Sequence, residues 1–386
     1  MSQVTLTIDG RTVSMPPSAT ILDAASALNI HIPTLCRHPT LKPEGSCRLC
    51  VVEVEKSPGL VPSCTRTVEE SMKVTTLNER ILRTRRLIVE LLLAEHPTPC
   101  SRNNNDGGGC ELEAVAAVLG VSTPRFPKVK ALLPVDRSNR GIVFDLNSCI
   151  LCGRCVRACG DVQVQEVIAV SGKGSNAKVS FDFDDVMGSS QCTECGECVA
   201  YCPTGALFES LHPLPREPVR SVETVCPYCG VGCKVRYDLA GDTILRARGV
   251  RDSPVNRGML CVKGKFGYDF TTDRARLTKP LIRLPRVAKE PLGGRNLSEV
   301  FREASWEEAL DLVSNRLLAI RKQYGGDALY GFSSAKCTNE ENYAFQKFMR
   351  VVLGTNNVDT CTRLCHSSSV YALDQALGSS AATNSL

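Results

Sequence analysis

Two cysteine-rich stretches lie near the middle of the chain: CILCGRCVRACG at residues 149–160 and CTECGECVAYCP at residues 192–203. Both have the spacing C-x2-C-x2-C-x3-C, and the 386 residues include 21 cysteines in all. In a chain without a secretory leader, cysteines at such short spacings more often bind metal than form disulfides. The N-terminal stretch MSQVTLTIDG has no basic segment followed by an apolar one, and we therefore expect a cytoplasmic protein.

The two stretches have the ligand pattern of bacterial two-cluster ferredoxins, in which the last cysteine of each stretch binds the other cluster. One predicted 4Fe–4S cluster has the ligands Cys149, Cys152, Cys155 and Cys202. The other has the ligands Cys192, Cys195, Cys198 and Cys159. We therefore expect a two-cluster ferredoxin domain at residues 143–215.

Towards the N-terminus, another cysteine set follows a stretch of alternating apolar and polar residues. In QVTLTIDGRTVSM the pair Asp9-Gly10 predicts a hairpin turn, and SATILDAASALNI predicts a helix capped by Ser18 or Thr20. The cysteines, spaced C-x10-C-x2-C-x13-C, are Cys36, Cys47, Cys50 and Cys64. This set on a small mixed sheet favours a 2Fe–2S cluster. The alternative is zinc, whose four-cysteine sites usually pair two C-x2-C units.

Between these regions, ERILRTRRLIVELLLAE predicts an amphipathic helix over residues 79–95. The residues expected on its apolar face are Leu82, Leu87, Leu91 and Ala94. The stretch HPTPCSRNNNDGGGC follows and supplies His96, Cys100 and Cys110. Residues 119–142, rich in proline and basic side chains, are expected to be a linker.

The C-terminal part begins with one more cysteine set and then changes to an α/β pattern. CPYCGVGC and one later cysteine predict a further 4Fe–4S site, with ligands Cys226, Cys229, Cys233 and Cys261. SWEEALDLVSNRLLAIRKQYG predicts a helix with a capping box between Ser305 and Glu308 and an end at Gly325. The expected apolar stripe of this helix is Leu310, Val313, Leu317 and Ile320. A strand in DALYGFSS and a helix in ENYAFQKFMRVVLG complete the start of a βαβ domain.

The formal net charge of +5 does not indicate a nucleic-acid or phospholipid partner. A four-thiolate cluster carries a net charge of about −2, so four clusters would add about −8 and make the loaded protein mildly acidic. No basic run with interleaved aromatic residues supports such a partner either.

The order of these modules resembles a known family. The N-terminal set resembles the 2Fe–2S β-grasp domain of the large iron–sulfur subunit of respiratory complex I and of iron-only hydrogenases. The later stretches GMLCVKGKFGYDF, SAKCTNEENYAFQKF and GTNNVDTCTRLCH resemble the N-terminal half of the catalytic subunit of cytoplasmic molybdenum- or tungsten-dependent formate dehydrogenases.

The resemblance implies a multidomain α+β protein. The expected parts are a 2Fe–2S β-grasp domain at 1–78, a degenerate His-Cys helical segment with linker at 79–142, the two-cluster ferredoxin domain at 143–215, a 4Fe–4S domain at 219–275, and the truncated start of a molybdopterin-binding α/β domain at 276–386.

Matched residue by residue, the resemblance also implies catalytic roles. Cys365 corresponds to the ligand of molybdenum or tungsten in a bis-pyranopterin guanine dinucleotide cofactor, where a soft thiolate suits the metal. His366 corresponds to the neighbouring proton-handling histidine, and Lys263 to a lysine between a cluster and a pterin. The residues expected to line the cofactor are Asn339, Glu340, Asn342, Asn356 and Asn357. Cys337 and Cys361 are expected to be ordinary buried thiols.

The His96 segment departs from the family, in which H-x3-C-x2-C-x5-C binds a 4Fe–4S cluster. Asn103 occupies the third ligand position here, and one residue is inserted before Cys110. The alternatives are a lost cluster, a three-ligand or 3Fe cluster, and an oxygen ligand from Asp106.

The function implied is two-electron formate oxidation, or CO2 reduction, with electrons relayed through iron–sulfur clusters to flavin/NAD-linked or hydrogenase subunits. The alternative is an iron–sulfur electron-transfer subunit without its own catalysis, and a nitrate reductase-like enzyme is a weaker third possibility. Because family members are several hundred residues longer, we expect a truncated chain, or half of a split enzyme completed by a second chain, that is inactive alone. No stretch is apolar enough to span a membrane.

Overall fold

The structure, a computed structural model, describes residues 3–105, 109–210 and 218–378. The chain divides into two compact units. Unit 1 consists of Met1–Thr224 and Cys233–Tyr268, and unit 2 of Val225–Gly232 and Asp269–Leu386. Among the described residues, every helix is too short or too polar to cross a bilayer.

Unit 1 begins with a mixed sheet packed against one helix. The elements are β1 (Val4–Ile8), β2 (Arg11–Met15), α1 (Ile21–Ala27), β3 (Val51–Val54), β4 (Val61–Pro62) and β5 (Lys73–Thr75), with strand order β2-β1-β5-β3-β4. Asp9 and Gly10 form the predicted turn between β1 and β2, both with positive φ. Thr20 caps α1 by accepting a hydrogen bond from the Asp23 backbone. The predicted hairpin and helix are therefore confirmed.

The next segment is helical: α2 (Glu79–Glu95), α3 (Arg102–Asn105) and α4 (Glu111–Leu119). The bounds of α2 are those predicted, but its predicted apolar face was only partly right, since Leu82 is half-buried against the core. The buried residues are Ile81, Arg85, Val89 and Leu93, whereas Leu87 and Leu91 are 40% and 49% exposed. Arg85 can lie on the buried face because its guanidinium donates to the Val51 carbonyl in β3 at 2.8 Å, which satisfies part of its hydrogen-bonding capacity.

The ferredoxin-like segment consists of short elements around the cysteine loops. They are β6 (Ile142–Phe144), α5 (Arg154–Arg157), β7 (Ile168–Ser171), β8 (Lys178–Phe181), α6 (Glu197–Tyr201) and β9 (Leu207–Glu209). β6 pairs with β9, and β7 with β8, both antiparallel. The core between them combines apolar side chains such as Phe181 and Met187 with ligand thiols such as Cys155 and Cys198.

The last part of unit 1 is a meander around a buried charge. Its elements are β10 (Arg220–Val225), β11 (Lys234–Ala240), β12 (Thr243–Gly249) and α7 (Val262–Phe266). The Asp238 carboxylate is fully buried and accepts hydrogen bonds from Ser221, Arg246 and Arg248. Two guanidinium groups therefore compensate this buried negative charge.

Unit 2 contains the parallel strands that were expected. Its elements are β13 (Leu281–Arg283), α8 (Leu297–Val300), β14 (Phe301–Glu303), α9 (Trp306–Tyr324), β15 (Gly331–Ser333), α10 (Asn339–Lys347), β16 (Val358–Thr360), α11 (Thr362–Cys365) and α12 (Ser367–Leu377). β15 and β16 are parallel and connected through α10, which forms a βαβ unit. The observed elements agree with the expected multidomain α+β class.

Helix α9 begins and ends as predicted but buries only part of its predicted stripe, since Leu317 and Ile320 are half-buried against a small core cluster. Ser305 accepts from the Glu308 backbone at 3.1 Å, while the Glu308 carboxylate pairs with Arg302 instead of completing the capping box. Leu310 and Val313 are 61% and 53% exposed, and no residue of this fully described helix is completely buried.

Candidate metal centres

Two cavities in unit 1 are lined by the two crossed cysteine sets. One has Cys149, Cys152, Cys155 and Cys202 in its wall. The other has Cys159, Cys192, Cys195 and Cys198. The structure thus brings together the thiols that the ferredoxin pattern predicted to share a cluster, although their ligation stays a prediction.

The chemistry of these cavities fits a metal cluster. Burial raises the pKa of the Cys155 and Cys198 thiols well above the usual range, because the apolar surroundings disfavour a thiolate. A bound cation reverses this preference, since metals bind thiolates. Four soft sulfur donors around one cavity are the donor set of a 4Fe–4S cluster.

The two cysteine loops have the same backbone design. The second of the two residues between the first two cysteines has a positive φ in each: 51° at Leu151 and 55° at Glu194. The backbone N–H of Leu151 donates to the Cys149 sulfur at 3.4 Å, and that of Glu194 donates to the Cys192 sulfur at the same distance. Hydrogen bonds to ligand sulfurs are one means by which proteins adjust cluster potentials.

The N-terminal cysteine set forms a chain of thiols beside the sheet. The Cys36 thiol is in hydrogen-bonding contact with those of Cys47 and Cys64, and Cys64 also contacts Cys50. These contacts lower the pKa of Cys36 and lower that of Cys50 to about 6, whereas they raise the pKa of Cys47 and Cys64. Four adjacent thiols of which three are fully buried fit the ligand set expected for a 2Fe–2S cluster.

Two arginines that sequence reasoning missed connect this set to the ferredoxin-like segment. Arg157 donates to the carbonyl of Cys36 at 2.7 Å and to the carbonyl of Cys152 at 3.1 Å. Arg154, which is buried, forms a bidentate ion pair with Glu111 and donates to the Arg37 carbonyl at 2.9 Å. Both lie in the quoted cysteine stretch, but only the tertiary structure shows what they contact.

The residues of the degenerate segment also come together. His96, Cys100 and Cys110 are all buried, and their ligand atoms lie within 4.8 Å of one another. Asn103 does not join them, because its side-chain oxygen accepts from the Cys110 backbone at 2.9 Å. Asp106, the possible oxygen ligand, lies outside the described residues.

The remaining cysteine set is divided between the two units. Cys226 and Cys229 belong to unit 2, and Cys233 and Cys261 to unit 1. Cys229 and Cys261 are exposed, and the ligation of a 4Fe–4S cluster by this set stays a prediction.

Near Cys261, two lysines of α7 have different environments. Lys263, the residue expected between cluster and pterin, is exposed. Lys265 is buried, pairs with Glu209 at 2.6 Å and donates to the Ala247 carbonyl at 3.0 Å. Its aliphatic stem lies 2.8 Å from the position that a Cβ on Gly196 would take, in the second ferredoxin loop. Lys265 is thus the lysine that supports a cluster loop, and sequence reasoning did not find it.

In unit 2, Cys365 and His366 lie one turn beyond the end of β16. Cys365 is exposed and His366 is half-buried. The loop after β15 is adjacent, because Ala335 N donates to the Cys361 sulfur at 3.3 Å. Ligands of α/β proteins bind where the carboxyl ends of parallel strands meet, so this is the end of the sheet where a cofactor is expected.

The other predicted residues of unit 2 are placed around the same loops. Asn342 donates to the carbonyls of Ser334, Cys337 and Thr338, and Asn357 donates to the Asp327 carbonyl, so both hold the backbone. The exposed members of the predicted set are Asn339, Glu340 and Asn356. Cys337 and Cys361 are also exposed. The prediction that they are buried thiols was wrong, since they lie in the loops that follow the strand ends.

Four protein-family models match successive parts of the chain. The family described as "2Fe-2S iron-sulfur cluster binding domain" matches residues 1–79, and "4Fe-4S dicluster domain" matches residues 148–206. "Molybdopterin oxidoreductase Fe4S4 domain" matches residues 219–273, and "Molybdopterin oxidoreductase" matches residues 276–386. The chain therefore carries a 2Fe–2S domain, a 4Fe–4S dicluster domain and the start of a molybdopterin oxidoreductase domain. The expected fold class is therefore confirmed.

Curated proteins similar to this chain have several names. It is 33% identical to the NADPH-Fe(3+) oxidoreductase subunit alpha of Geobacter sulfurreducens, over 99% of this chain and 43% of that protein. It is 29% identical to a "Putative formate dehydrogenase" of Staphylococcus aureus, over 97% of this chain and 40% of that protein. The chain thus spans about two fifths of the length of these curated relatives.

One solved structure is similar to the chain over about half of its length. A chain in the crystal structure of an NAD+-reducing nickel–iron hydrogenase in the H2-reduced state is 30% identical, with a TM-score of 0.51. The match covers 55% of this chain and 90% of that chain.

Proposed function

We propose that this chain is the N-terminal portion of the catalytic subunit of a molybdenum- or tungsten-dependent formate dehydrogenase, which also works as a CO2 reductase. The observation that carries the proposal is the position of Cys365-His366 beyond β16 of a parallel βαβ unit. Two further observations support it: the similarity to a putative formate dehydrogenase of Staphylococcus aureus, and the two cavities lined by the ferredoxin-type cysteine sets. The physiological partners proposed are flavin/NAD-linked or hydrogenase iron–sulfur subunits, and a second chain if the catalytic domain is split.

In the proposed reaction, formate gives CO2, one proton and two electrons. A pterin-bound metal, when present, supplies the two-electron acceptor. The Cys365 thiolate is the protein ligand that would hold this metal. His366 takes the proton, because imidazole is the side chain best suited to proton transfer near neutral pH. Lys263 would lie between the cluster of Cys261 and the pterin, where its positive charge favours the arrival of electrons.

The four-cysteine sets would hold iron–sulfur clusters, which would supply one-electron transfer when bound. The proposed order is the Cys261 set, the two ferredoxin-type sets and the N-terminal 2Fe–2S set. The contacts of Arg157 support the last transfer, because this side chain touches the backbone of Cys36 in one ligand loop and of Cys152 in another. The protein's part is to space the clusters and adjust their potentials.

The test uses the purified complex that contains this chain. We expect molybdenum or tungsten by elemental analysis and formate-dependent reduction of a dye. Cys365→Ser should retain all iron but lose formate-dependent activity by at least about a hundredfold, because the thiolate ligand is replaced by a hard hydroxyl. The exposed Cys337→Ser is the matched control and should retain activity. Absence of both metals and of formate activity in the complex would contradict the proposal.

A second candidate function is electron transfer without catalysis. It is favoured by the similarity to the hydrogenase chain, 90% of which is covered by the match. This function predicts iron, sulfide and several EPR signals on reduction, but no pterin. Extraction of a pterin from the purified complex distinguishes it from the first proposal.

A further inference from the structure

Three metal-ligating side chains converge between α2 and α4 in unit 1. His96 follows α2, Cys100 lies in the connecting loop, and Cys110 directly precedes α4. Their exposed fractions are 7%, 0% and 3%. The buried imidazole needs an explanation beyond packing, because burying a polar ring nitrogen costs free energy unless the nitrogen has a partner. The two thiols beside it are further metal-ligating groups.

The distances within this set match a single ion. The Cys110 sulfur and His96 Nε2 are 3.5 Å apart, and all three ligand atoms lie within 4.8 Å of one another. Zn–S bonds of about 2.3 Å and Zn–N bonds of about 2.0 Å at tetrahedral angles place sulfur and nitrogen about 3.5 Å apart, and two sulfurs about 3.8 Å apart.

A 4Fe–4S cluster needs a different arrangement. It attaches each ligand to a different iron, so the body of the cluster separates the ligand atoms. The ferredoxin-type sets of the same unit show this pattern, since their thiols stand around a cavity. In contrast, the ligand atoms of His96, Cys100 and Cys110 lie within 4.8 Å of one another. The residues present therefore do not fit the cluster that the family resemblance assigns to this segment.

Asn103, at the third ligand position of the family pattern, hydrogen-bonds the backbone and a carboxylate instead of facing the ligand atoms. Its side-chain oxygen accepts from the Cys110 backbone at 2.9 Å, and its side-chain nitrogen donates to Glu113. The Glu113 carboxylate in turn accepts from the Cys100 backbone at 2.9 Å. Asn103 and Glu113 thus fix the backbone of both cysteines and do not face the space between the sulfurs.

The histidine provides an independent observation. Its Nδ1 is buried and has no hydrogen-bond partner among the described residues, while Nε2 lies 3.5 Å from the Cys110 sulfur. Hydrogen bonding to the described residues thus leaves one nitrogen of this buried ring without a partner, and an imidazole held beside two thiols has the donor atoms for a metal ion.

We propose that His96, Cys100 and Cys110 hold a single tetrahedral divalent ion of the zinc class in place of a 4Fe–4S cluster. Two thiolates and one imidazole are a usual donor set for zinc. The fourth position is left to a ligand from outside these three residues. This site is independent of the formate dehydrogenase proposal.

Such an ion has a structural role. Zinc has no redox chemistry, so the site does not relay electrons. It joins α2 and α4 to the end of the ferredoxin-like segment, because Gly205 N donates to the Cys100 sulfur at 3.2 Å and Glu111 N donates to the Pro203 carbonyl at 2.9 Å. Metal at this point therefore supports the loop that carries Cys202.

The test measures zinc and iron per chain in anaerobically purified holoprotein, alongside Cys110→Ser and the control Cys337→Ser. We expect about one zinc in the wild type and in the control. Cys110→Ser should lose zinc and keep its iron. Loss of about four irons in Cys110→Ser would show a 4Fe–4S cluster and overturn the proposal. Zinc that persists in Cys110→Ser is adventitious and overturns it as well, as does a wild type without zinc.

Two further measurements do not depend on how Cys110→Ser folds. Zinc K-edge X-ray absorption of the wild type should show about two sulfur neighbours and at least one nitrogen neighbour. A zinc shell of oxygen and nitrogen alone contradicts the site. Asn103→Ala keeps all three ligands but removes the side-chain hydrogen bonds to the Cys110 backbone and to Glu113. We therefore expect zinc affinity to fall about 10–100-fold in competition with a chelator. The exposed Asn176→Ala is the control and should bind zinc as the wild type does.

Discussion

The two compact units present their candidate ligands in opposite ways. In unit 1 the ferredoxin-type thiols lie behind apolar side chains, and Cys155 is only 8% exposed. In unit 2 Cys365 is exposed, and the described residues of α9, α10 and α12 include none that is fully buried. Unit 1 thus encloses its ferredoxin-type thiols with its own residues, whereas unit 2 only positions a thiol beyond a strand end.

The largest contrast is expected between Cys155→Ser and Cys365→Ser. Cys155→Ser should lose about four irons per chain, because a serine replaces one of four thiolate ligands in a closed cavity. Cys365→Ser should keep all iron and change the free energy of unfolding by no more than about 0.5 kcal/mol, as usual for an exposed side chain. Iron analysis and EPR of the reduced protein measure the first effect. Equal iron in the two variants would remove the distinction between the units.

A smaller effect is expected where the cysteine loops of unit 1 touch. A Cβ on Gly205 would lie 2.9 Å from the Arg102 nitrogen and 3.1 Å from the Cys100 sulfur. Gly205→Ala should therefore reduce the free energy of unfolding by about 1–3 kcal/mol through overpacking. Gly59→Ala is the control, since a Cβ there meets nothing within 4 Å. Urea unfolding followed by circular dichroism measures both, and equal midpoints would show that the loops are not in close contact.

The free energy of unfolding should depend on pH because unit 1 buries His38. Burial, and then nearby arginines led by Arg251, lower the pKa of His38 to about 4. Because the unfolded chain binds this proton near pH 6.5, stability should fall as pH decreases from 6.5 towards 4, by about 2 kcal/mol between pH 7 and pH 5. His38→Gln should remove that part of the slope. An unchanged slope in urea midpoints measured from pH 7 to pH 5 would contradict a buried neutral His38.

The smallest effect separates two helices that look alike in sequence. Val89 in α2 is fully buried, and Val313 in α9 is 53% exposed. Val89→Ala should cost about 1–2 kcal/mol because it leaves a small cavity. Val313→Ala should stay within about 0.5 kcal/mol of the wild type. Urea unfolding monitored at a helix band compares the two, and a larger loss for Val313→Ala would reverse the assignment of buried and exposed helices.

Short-range patterns predicted local structure well. The Asp9-Gly10 turn, the cap at Thr20 and the full extent of α2 were all expected from the sequence, because turns and caps depend on a few neighbouring residues. Faces were harder to predict. Leu87 and Leu91 were expected to be buried, but α2 buries Arg85 instead, and only the carbonyl of Val51 in a distant strand explains why.

The candidate sites divide in the same way. The spacing of the cysteines predicted which thiols line each ferredoxin-type cavity. Each stretch has the C-x2-C-x2-C-x3-C pattern, in which the last cysteine belongs with the other stretch. The contacts of Arg157 and Lys265 with the cluster loops carried no sequence signal, because their partners lie far away along the chain.

By itself, the sequence determined the order of the metal-binding modules, because soft thiolates at short spacings have few other uses. It also predicted which thiols line each of the two ferredoxin-type cavities. Only the tertiary structure decided how close the ligand atoms of His96, Cys100 and Cys110 lie, and that the Asn103 side chain binds the Cys110 backbone instead of joining them. Those distances depend on how α2 and α4 pack together and on the hydrogen bonds that the Glu113 carboxylate accepts from Cys100 and Asn103. The spacing of residues along the chain specifies neither.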